Sequence, residues 1–250
     1  MKALLSNDDG YLSPALTELH RICQKHFERI DVVAPDRNCS GISSALTLRH
    51  PIYVHRHHNG FVSVEGTPTD CVHIGLLGLF NSDFDIVVSG INLGANLGDD
   101  VVYSGTVAAA IEGRFLGYPS IAVSITSSTP QYYDSAEYVL DTVIERLKQR
   151  TLPNNIILNI NIPDVPLSEL KGIKTTRLSF RHQAESVKTI TDQHGQTAYW
   201  IGPPGKMGDK EADTDIYAVE HGYASITPIH TDLTRHQLIE PVRNWLNQSS

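Results

Sequence analysis

The fold is decided by residues 2–35, KALLSNDDGYLSPALTELHRICQKHFERIDVVAP. Residues 2–6 are an apolar run that predicts a strand, and the polar turn Asn7-Asp8-Asp9-Gly10 ends it. A helix is predicted from Ser13-Pro14, because serine caps helices and proline suits the first helical position. Residues 30–34 form the next predicted strand. This order of strand, loop, helix and strand is typical of an α/β sheet.

The same alternation continues to residue 162. Asn59-Gly60 is a typical hairpin turn between two short apolar runs, and Thr67-Pro68-Thr69-Asp70 has the pattern of a helix cap. The other predicted elements are strands at 52–57, 61–64, 85–89, 121–125 and 156–162, and helices at 106–116 and 135–148. Together they predict an α/β core over residues 1–165, with a mostly parallel sheet and flanking helices.

The pattern changes after residue 165. Residues 172–180 and 184–201 alternate like strands but contain few large apolar residues. We therefore expect a β-arm at about 172–205, which needs a partner surface because an isolated hairpin is only marginally stable. A returning strand is predicted at residues 223–228, and a C-terminal helix, kinked or split at Pro241, at residues 233–246. Residues 1–250 are thus expected to form a single domain with these appendages.

Composition argues against several classes of protein. The chain has 250 residues and a formal net charge of −8, which gives no sign of a basic footprint and argues against binding of a nucleic-acid polymer. Three widely spaced cysteines without a CxxC pair argue against a disulfide framework and a zinc knuckle, and they fit a reducing compartment. We find neither a signal peptide nor an apolar run long enough to span a membrane. A cytoplasmic protein without membrane contacts is predicted.

Three polar loops each follow a predicted strand, at residues 7–11, 36–44 and 90–104. Ligands of open α/β sheets bind beyond the carboxyl ends of the strands, where such loops converge. The sequence therefore predicts that three distant segments meet at one site.

Asp8 and Asp9 are the first candidate ligands in these loops. Neighbouring residues of a strand point to opposite faces, so both can reach one site only where the strand ends, and Gly10 permits such a bend. Two carboxylates without a nearby cysteine or histidine favour Mg²⁺, Mn²⁺ or Ca²⁺ over zinc. Taken alone, however, Asn-Asp-Asp-Gly is more often an ordinary exposed turn.

The loop at 90–104 is the second candidate, because its glycines are interleaved with Asn92, Asn96, Asp99 and Asp100. Asparagine can bind a cation or a phosphate, and Ser104-Gly105-Thr106 lies at a helix start, where free N–H groups favour an anion. The pattern is neither GxGxxG nor a GK[ST] loop, which argues against a dinucleotide or an NTPase site. Ser40 can donate an oxygen to the same cation, although serine before glycine is common in ordinary loops.

Several long motifs resemble the SurE family, the stationary-phase survival protein with 5′-nucleotidase activity. The resemblance runs nearly end to end. Its motifs are LLSNDDG at 4–10, VVAPDRNCSG at 32–41, GTPTDCV at 66–72, DIVVSGINLGANLGDDVVYSGTVAAAIEGR at 85–114, ILNINIPD at 157–164, TRLSFRH at 176–182, YWIGPPG at 199–205 and YASITPIHTDLT at 223–234.

The resemblance implies a Rossmann-like core and one divalent cation per subunit, Mg²⁺ or Mn²⁺, with Ca²⁺ possible in crystals. By the same resemblance the metal ligands are Asp8, Asp9, Ser40 and Asn92. The phosphate-binding residues are Asn96, Ser104, Gly105 and Thr106. Family members act on nucleoside 5′-monophosphates, and often on 3′-monophosphates and short polyphosphate. They form homodimers or homotetramers that exchange the β-hairpin arm and the C-terminal segment, so the arm and the C-terminal helix are expected to serve oligomerisation.

Our hypothesis is hydrolysis of a nucleoside monophosphate by a metal-activated water, with Asp8, Asp9 and Asn96 as catalytic residues. Asp9 is the candidate for orienting or deprotonating that water. Two alternatives stay open. Asp8 could act as the nucleophile of an aspartyl-phosphate phosphatase, although those enzymes usually have Asp-x-Asp. The chain could also be a nucleotide- or phosphate-sensing module without turnover.

Overall fold

Nine strands form the main sheet in the computed structural model, which describes residues 1–80, 83–150, 156–180, 186–201 and 208–247. The strands of the chain are β1 Lys2–Ser6, β2 Arg29–Pro35, β3 Val54–Arg56, β4 Val62–Val64, β5 Ile86–Leu93, β6 Ser120–Ile125, β7 Ile157–Ile162, β8 Ile173–Thr175, β9 Lys188–Thr191, β10 Thr197–Trp200 and β11 Ala224–Ile229. The main sheet has the order β3-β4-β2-β1-β5-β6-β7-β11-β8. The described parts of β9 and β10 pair with each other in a separate two-stranded sheet.

The six strands from β4 to β7 are parallel, which confirms the predicted mostly parallel sheet. β3 pairs with β4 and β11 pairs with β7 in the antiparallel sense. β1 lies between β2 and β5 in the sheet. The chain passes from β1 to β2 on one side and later returns to the other side of β1 to form β5. This reversal beside β1 makes the carboxyl end of β1 the expected ligand site of such a sheet.

Helices cover both faces of the sheet. The covering helices are α1 Pro14–Cys23, α2 Pro68–Ile74, α3 Gly105–Phe115, α4 Tyr133–Gln149 and α5 Asp215–Glu220. A further helix, α6 Ile239–Asn247, has no buried residue. One hydrophobic cluster joins α1 and α4 to residues such as Leu5, and a second joins α2 and α3 to residues such as Leu4. Leu4 and Leu5 serve opposite faces because side chains alternate along a strand. Within the described ranges, no helix has the length and apolar character needed to cross a membrane.

The predicted helix cap at Thr67 is confirmed. The Thr67 side chain accepts a hydrogen bond from Asp70 N at 3.0 Å, and Asp70 Oδ2 accepts one from Thr67 N at 2.9 Å. Two N–H groups at the start of α2 are satisfied in this way, as the capping pattern requires.

Several elements differ from the sequence predictions. β5 extends to Leu93, so residues 90–93 belong to a strand rather than to the loop, and a 3₁₀ helix covers Gly98–Val102. Pro241 does not split the C-terminal helix, because it lies in the first turn of α6, where its missing N–H needs no helical partner. The helix α5 was not predicted; six residues are too few for a clear helical period.

The predicted arm at 172–205 is divided in the structure. β8 pairs with β11 and belongs to the main sheet, while β9 and β10 form the separate hairpin. Residues 181–185 and 202–205 of the prediction lie outside the described residues.

Candidate active site

The turn after β1 is held by Asn7, whose side chain is fully buried. Asn7 Nδ2 donates to Gly10 O at 3.0 Å, and Gly10 N donates to Asn7 Oδ1 at 3.2 Å. Gly10 has a φ of +98°, and a Cβ there would lie 3.1 Å from the Arg37 carbonyl. The turn therefore requires glycine, which alone adopts this backbone readily. Asp8 in this turn is only 4% exposed, so the interpretation as an ordinary exposed turn is wrong.

Asp8 packs against the start of α3. The Thr106 hydroxyl donates a hydrogen bond to Asp8 Oδ1. A Cβ on Gly105 would lie 2.7 Å from Asp8 Cβ, so glycine allows this close approach. Burial raises the pKa of Asp8 to about 6, with a further contribution from the charge of Asp9, and the Thr106 hydrogen bond partly opposes the shift. The site thus joins two loops that lie far apart in the sequence.

Asp9 links the other two loops. Its Oδ2 accepts a hydrogen bond from Leu93 N at 3.4 Å, and its Oδ1 accepts one from Asn38 Nδ2 at 3.3 Å. Burial raises the pKa of Asp9 as well. The carboxylate therefore contacts both the end of β5 and the loop after β2.

Ser40 is connected to Asp9 through Asn38. Asn38 Oδ1 accepts hydrogen bonds from Ser40 N at 2.8 Å and from Ser40 Oγ at 2.6 Å. Cys39 N also donates to Asp8 O at 2.7 Å, which ties the loop after β2 to the turn after β1. Asn38 is a site residue that the sequence reasoning missed. Its only signal was an amide two residues before Ser40 in the same loop.

Asn92 lies near the end of β5, beside Leu93. Its Nδ2 donates to Gly94 O at 2.9 Å, which leaves the amide oxygen as the atom suited to a cation. The pairing of β5 with β6 shifts register between Ser89 and Asn92. A Cβ on Gly90 would lie 2.4 Å from Val123 O, so the shift depends on glycine.

Asn96 lies deeper, above strands β6 and β7, and is 7% exposed. Its Nδ2 donates to Ser124 Oγ at 2.8 Å, and its backbone is bonded by Asn159 and Asn161. An amide nitrogen carries two hydrogens, so one remains for an anion. The structure thus brings Asp8, Gly105 and Thr106 together, and separately links Asp9 to Ser40 and to the backbone beside Asn92. Within the described part of the chain, Asn96 is hydrogen-bonded to Ser124, Asn159 and Asn161 and not to the residues of these two groups.

Ser104 has a defined task at the start of α3. Its Oγ accepts a hydrogen bond from Val107 N at 3.1 Å. The first N–H groups of a helix have no carbonyl partner within it, and those of Gly105 and Thr106 remain outside the bonding of α3 itself. Thr106 N–H is close enough to Asp8 to favour its charged form. The serine is therefore a cap, and the N–H groups beside it suit an anion.

The residues fit a hard divalent cation. Asp8 and Asp9 are adjacent, and among the described residues no lysine, arginine or histidine stabilises either charge. Two desolvated neighbouring carboxylates repel each other unless a cation compensates them. In the same part of the chain, no group of three or more His, Cys, Asp or Glu side chains is disposed to hold a metal. A cation at Asp8 and Asp9 would therefore take further oxygen ligands from hydroxyl or amide groups.

Comparison with known proteins identifies the family of the chain. The family model described as "Survival protein SurE" matches residues 3–185. The chain belongs to the SurE family. A relative from Legionella pneumophila (strain Paris), named 5′-nucleotidase SurE, is 50% identical over 248 residues, which are 99% of this chain and 98% of the relative. A second relative of the same name, from Pseudoalteromonas atlantica, is 47% identical over 99% of this chain and 100% of its own.

A SurE crystal structure supports the same fold. The SurE protein from Aquifex aeolicus superposes with a TM-score of 0.86 at 39% identity, covering 99% of this chain and 100% of that one. The SurE family model ends at residue 185, before α5. In this chain α5 nevertheless contacts the segment between β5 and α3, which contains Asn96 and which we call the site loop. The fully buried Asp215 accepts hydrogen bonds from Gly98 N at 2.8 Å and from Ser179 N at 2.9 Å.

Proposed function

We propose that this chain is a metal-dependent 5′-nucleotidase that hydrolyses nucleoside 5′-monophosphates to nucleoside and phosphate. The observation that carries the proposal is the buried Asp8, which lies beside the uncompensated Asp9 and is bonded to Thr106 at the start of α3. This contact supports a site in which a cation ligand lies next to a helix end suited to an anion. The relatives named 5′-nucleotidase, aligned over nearly the whole chain, support the same reaction and its class of substrate. The reaction on 3′-monophosphates and short polyphosphate is a further part of the proposal.

The residues proposed to hold one divalent cation per subunit are Asp8, Asp9, Ser40 and Asn92. All four offer oxygen, which suits Mg²⁺ or Mn²⁺ and also allows Ca²⁺. When bound, the cation supplies Lewis acidity to the phosphoryl group and to the attacking water.

The chain's own residues perform the remaining tasks. The N–H groups of Gly105 and Thr106 are proposed to bind phosphate oxygens at the positive end of the α3 dipole. The N–H of Thr106 would be shared between the phosphate and Asp8. Asn96, with its remaining N–H, adds a neutral donor. Asp9 is held by two longer hydrogen bonds, at 3.3 and 3.4 Å, and is proposed to orient the water or to accept its proton.

A homodimer or homotetramer is also proposed. The hairpin of β9 and β10 exposes Tyr199 and Trp200, and α6 exposes Trp245 and Leu246. Large exposed apolar side chains that are grouped on this hairpin and on α6 indicate contact with a partner surface. Light scattering over a range of concentrations measures the assembly, and a monomer at all concentrations would refute it. A cytoplasmic location remains a prediction from the cysteine content.

Phosphate release from AMP tests the reaction. We expect turnover with Mg²⁺ or Mn²⁺, its loss in EDTA, and its recovery on adding the metal back. Rapid acid quench should trap no phosphoryl-enzyme, whereas a covalent aspartyl phosphate would support Asp8 as nucleophile instead. A wild-type protein that binds AMP but releases no phosphate with any of these metals would favour the sensing role.

A further inference from the structure

Asn161 binds the backbone of Asn96 at two points. Asn161 Oδ1 accepts a hydrogen bond from Asn96 N at 2.8 Å, and Asn161 Nδ2 donates one to Asn96 O at 3.0 Å. One side chain therefore occupies both hydrogen-bonding groups of the same loop residue. Two bonds to one residue fix the orientation of its backbone as well as its position, as a single bond would not.

Two neighbours complete this contact. Asn159 Nδ2 donates to Asn96 O at 2.9 Å, and Ser124 Oγ accepts from Asn96 Nδ2 at 2.8 Å. Asn159 and Asn161 lie two residues apart on β7 and share one face, and Ser124 pairs with Asn161 across β6 and β7. All three side chains are fully buried. We call Ser124, Asn159 and Asn161 the polar platform.

Burying the polar platform costs desolvation free energy that apolar side chains in the same positions would not require. Buried amides are tolerated only when they are hydrogen-bonded, and Asn159 Oδ1 has no partner among the described residues. An apolar residue on this face of β7 would avoid that penalty. The bonds of the platform instead converge on one residue of an irregular loop, between β5 and the 3₁₀ helix.

We propose that Asn161, assisted by Asn159 and Ser124, is a positioning residue that sets the Asn96 side chain for contact with the substrate phosphate. The inference rests on the proposed function, in which Asn96 is a phosphate ligand. Asn161 itself does not contact the substrate. It acts through Asn96, by fixing the backbone from which that side chain projects, while Ser124 selects the direction of the amide.

A double-mutant cycle distinguishes positioning from general stability. The variants are Asn161→Ala, Asn96→Ala and the double variant. The readouts are kcat/KM for AMP, the affinity for inorganic phosphate by calorimetry, the affinity for Mn²⁺, and the unfolding midpoint. Alone, Asn161→Ala should weaken phosphate binding and lower kcat/KM about tenfold, as loss of paired buried hydrogen bonds does. Mn²⁺ affinity should stay unchanged, because the proposed cation ligands lie elsewhere.

The decisive comparison is made in the Asn96→Ala background. There, Asn161→Ala should change kcat/KM and phosphate affinity by no more than about two-fold, because the side chain it positions is absent. Asn161→Ala should lower the unfolding midpoint in both backgrounds. The backbone of residue 96 binds Asn161 whether its side chain is asparagine or alanine, so the same two hydrogen bonds are lost in each case. Full, additive losses of phosphate affinity in both backgrounds would overturn the inference.

Thr227→Val is the matched control. Thr227 is a buried polar residue of β11 that pairs with Asn159, and its hydroxyl is bonded to Thr176 Oγ1 at 2.7 Å rather than to the loop of Asn96. It should lower the unfolding midpoint and leave kcat/KM and phosphate affinity unchanged. An equal loss of phosphate affinity in this control would reduce Asn161 to a structural role.

If Asn161→Ala does not fold, a variant that removes fewer hydrogen bonds can be used in its place. Asn159→Ala keeps both Asn161 bonds, so we expect a smaller loss that again disappears in the Asn96→Ala background. Failure of the proposed function is separate, because it appears as a wild-type protein that does not hydrolyse AMP. Phosphate binding by calorimetry then still decides whether Asn161 positions Asn96.

Discussion

The Thr106 hydroxyl donates a hydrogen bond to Asp8 Oδ1 across a sequence separation of 98 residues. This bond joins the two halves of the proposed site, the acidic turn after β1 and the start of α3. Both residues are buried, so the bond is formed away from competing water.

Replacing Thr106 tests this bond. Thr106→Val keeps the shape but removes the donor to a buried carboxylate, an interaction typically of about 1.5–3 kcal/mol. We expect kcat/KM for AMP and the affinity for Mn²⁺ to fall about 10- to 100-fold, because the carboxylate is less well held. Thr106→Ser keeps the hydroxyl and should retain most of both. Equal losses in the valine and serine variants would show that the hydrogen bond is not the cause.

Gly105 should tolerate no side chain. In Gly105→Ala the new Cβ would lie 2.7 Å from Asp8 Cβ and 2.8 Å from Asp8 Oδ2. We expect destabilisation of roughly 1–3 kcal/mol, typical of overpacking, together with loss of most activity. Gly78→Ala is the control, since a Cβ there meets nothing within 4 Å. Chemical denaturation and an AMP assay measure both variants, and an active, stable Gly105→Ala protein contradicts the packing described above.

Replacing Asn38 should weaken Mn²⁺ binding almost as much as replacing Ser40. Asn38→Ala removes the bonds from Asn38 to Asp9 and to Ser40, so the loop after β2 loses its tie to the acidic turn. We expect Mn²⁺ affinity to fall about 10-fold, in the range observed for residues that orient metal ligands. The double variant with Ser40→Ala should show less than the sum of the single losses. Strict additivity would mean that Asn38 and Ser40 act independently.

The three cysteines should react slowly in the native protein. All three are buried and unpaired, and burial raises the pKa of Cys23 to about 12 and that of Cys71 and Cys39 above the usual range. The thiolate is the reactive form, so a raised pKa leaves little of it at pH 8. A colorimetric thiol reagent should find three thiols promptly after denaturation and far slower reaction before it. Rapid native reaction of all three would contradict their burial.

Local signals were sufficient for much of the fold. The apolar run of residues 2–6 and the cap at Thr67 were found where predicted, because strand alternation and capping depend on neighbouring residues. The predicted interruption at Pro241 was wrong because α6 begins only two residues earlier, at Ile239, and Leu238 before it is not a capping residue. β8 was assigned to the arm because a three-residue strand does not reveal its partner; pairing with β11 brings it into the main sheet.

The site could be predicted only in part for the same reason. Asp8, Asp9 and the start of α3 each follow a strand, so sheet topology places them at one edge. Asn161 and Asp215 act on the site loop from 65 and 117 residues away, through bonds that no local pattern encodes. Asparagine on a buried strand was the available clue at Asn159 and Asn161, since an amide in such a place needs specific partners.

Titration of Mn²⁺ into the wild-type protein and the Asp9→Asn variant tests the central claim most directly. Calorimetry should find one Mn²⁺ per chain in the wild type. Asp9→Asn should weaken binding by about 100-fold or more, because the charge of the ligands sets the affinity of a site for a hard cation. AMP hydrolysis should fall with the fraction of metal bound. Unchanged Mn²⁺ affinity in the variant, with AMP hydrolysis intact, would contradict a metal-dependent site at Asp8 and Asp9.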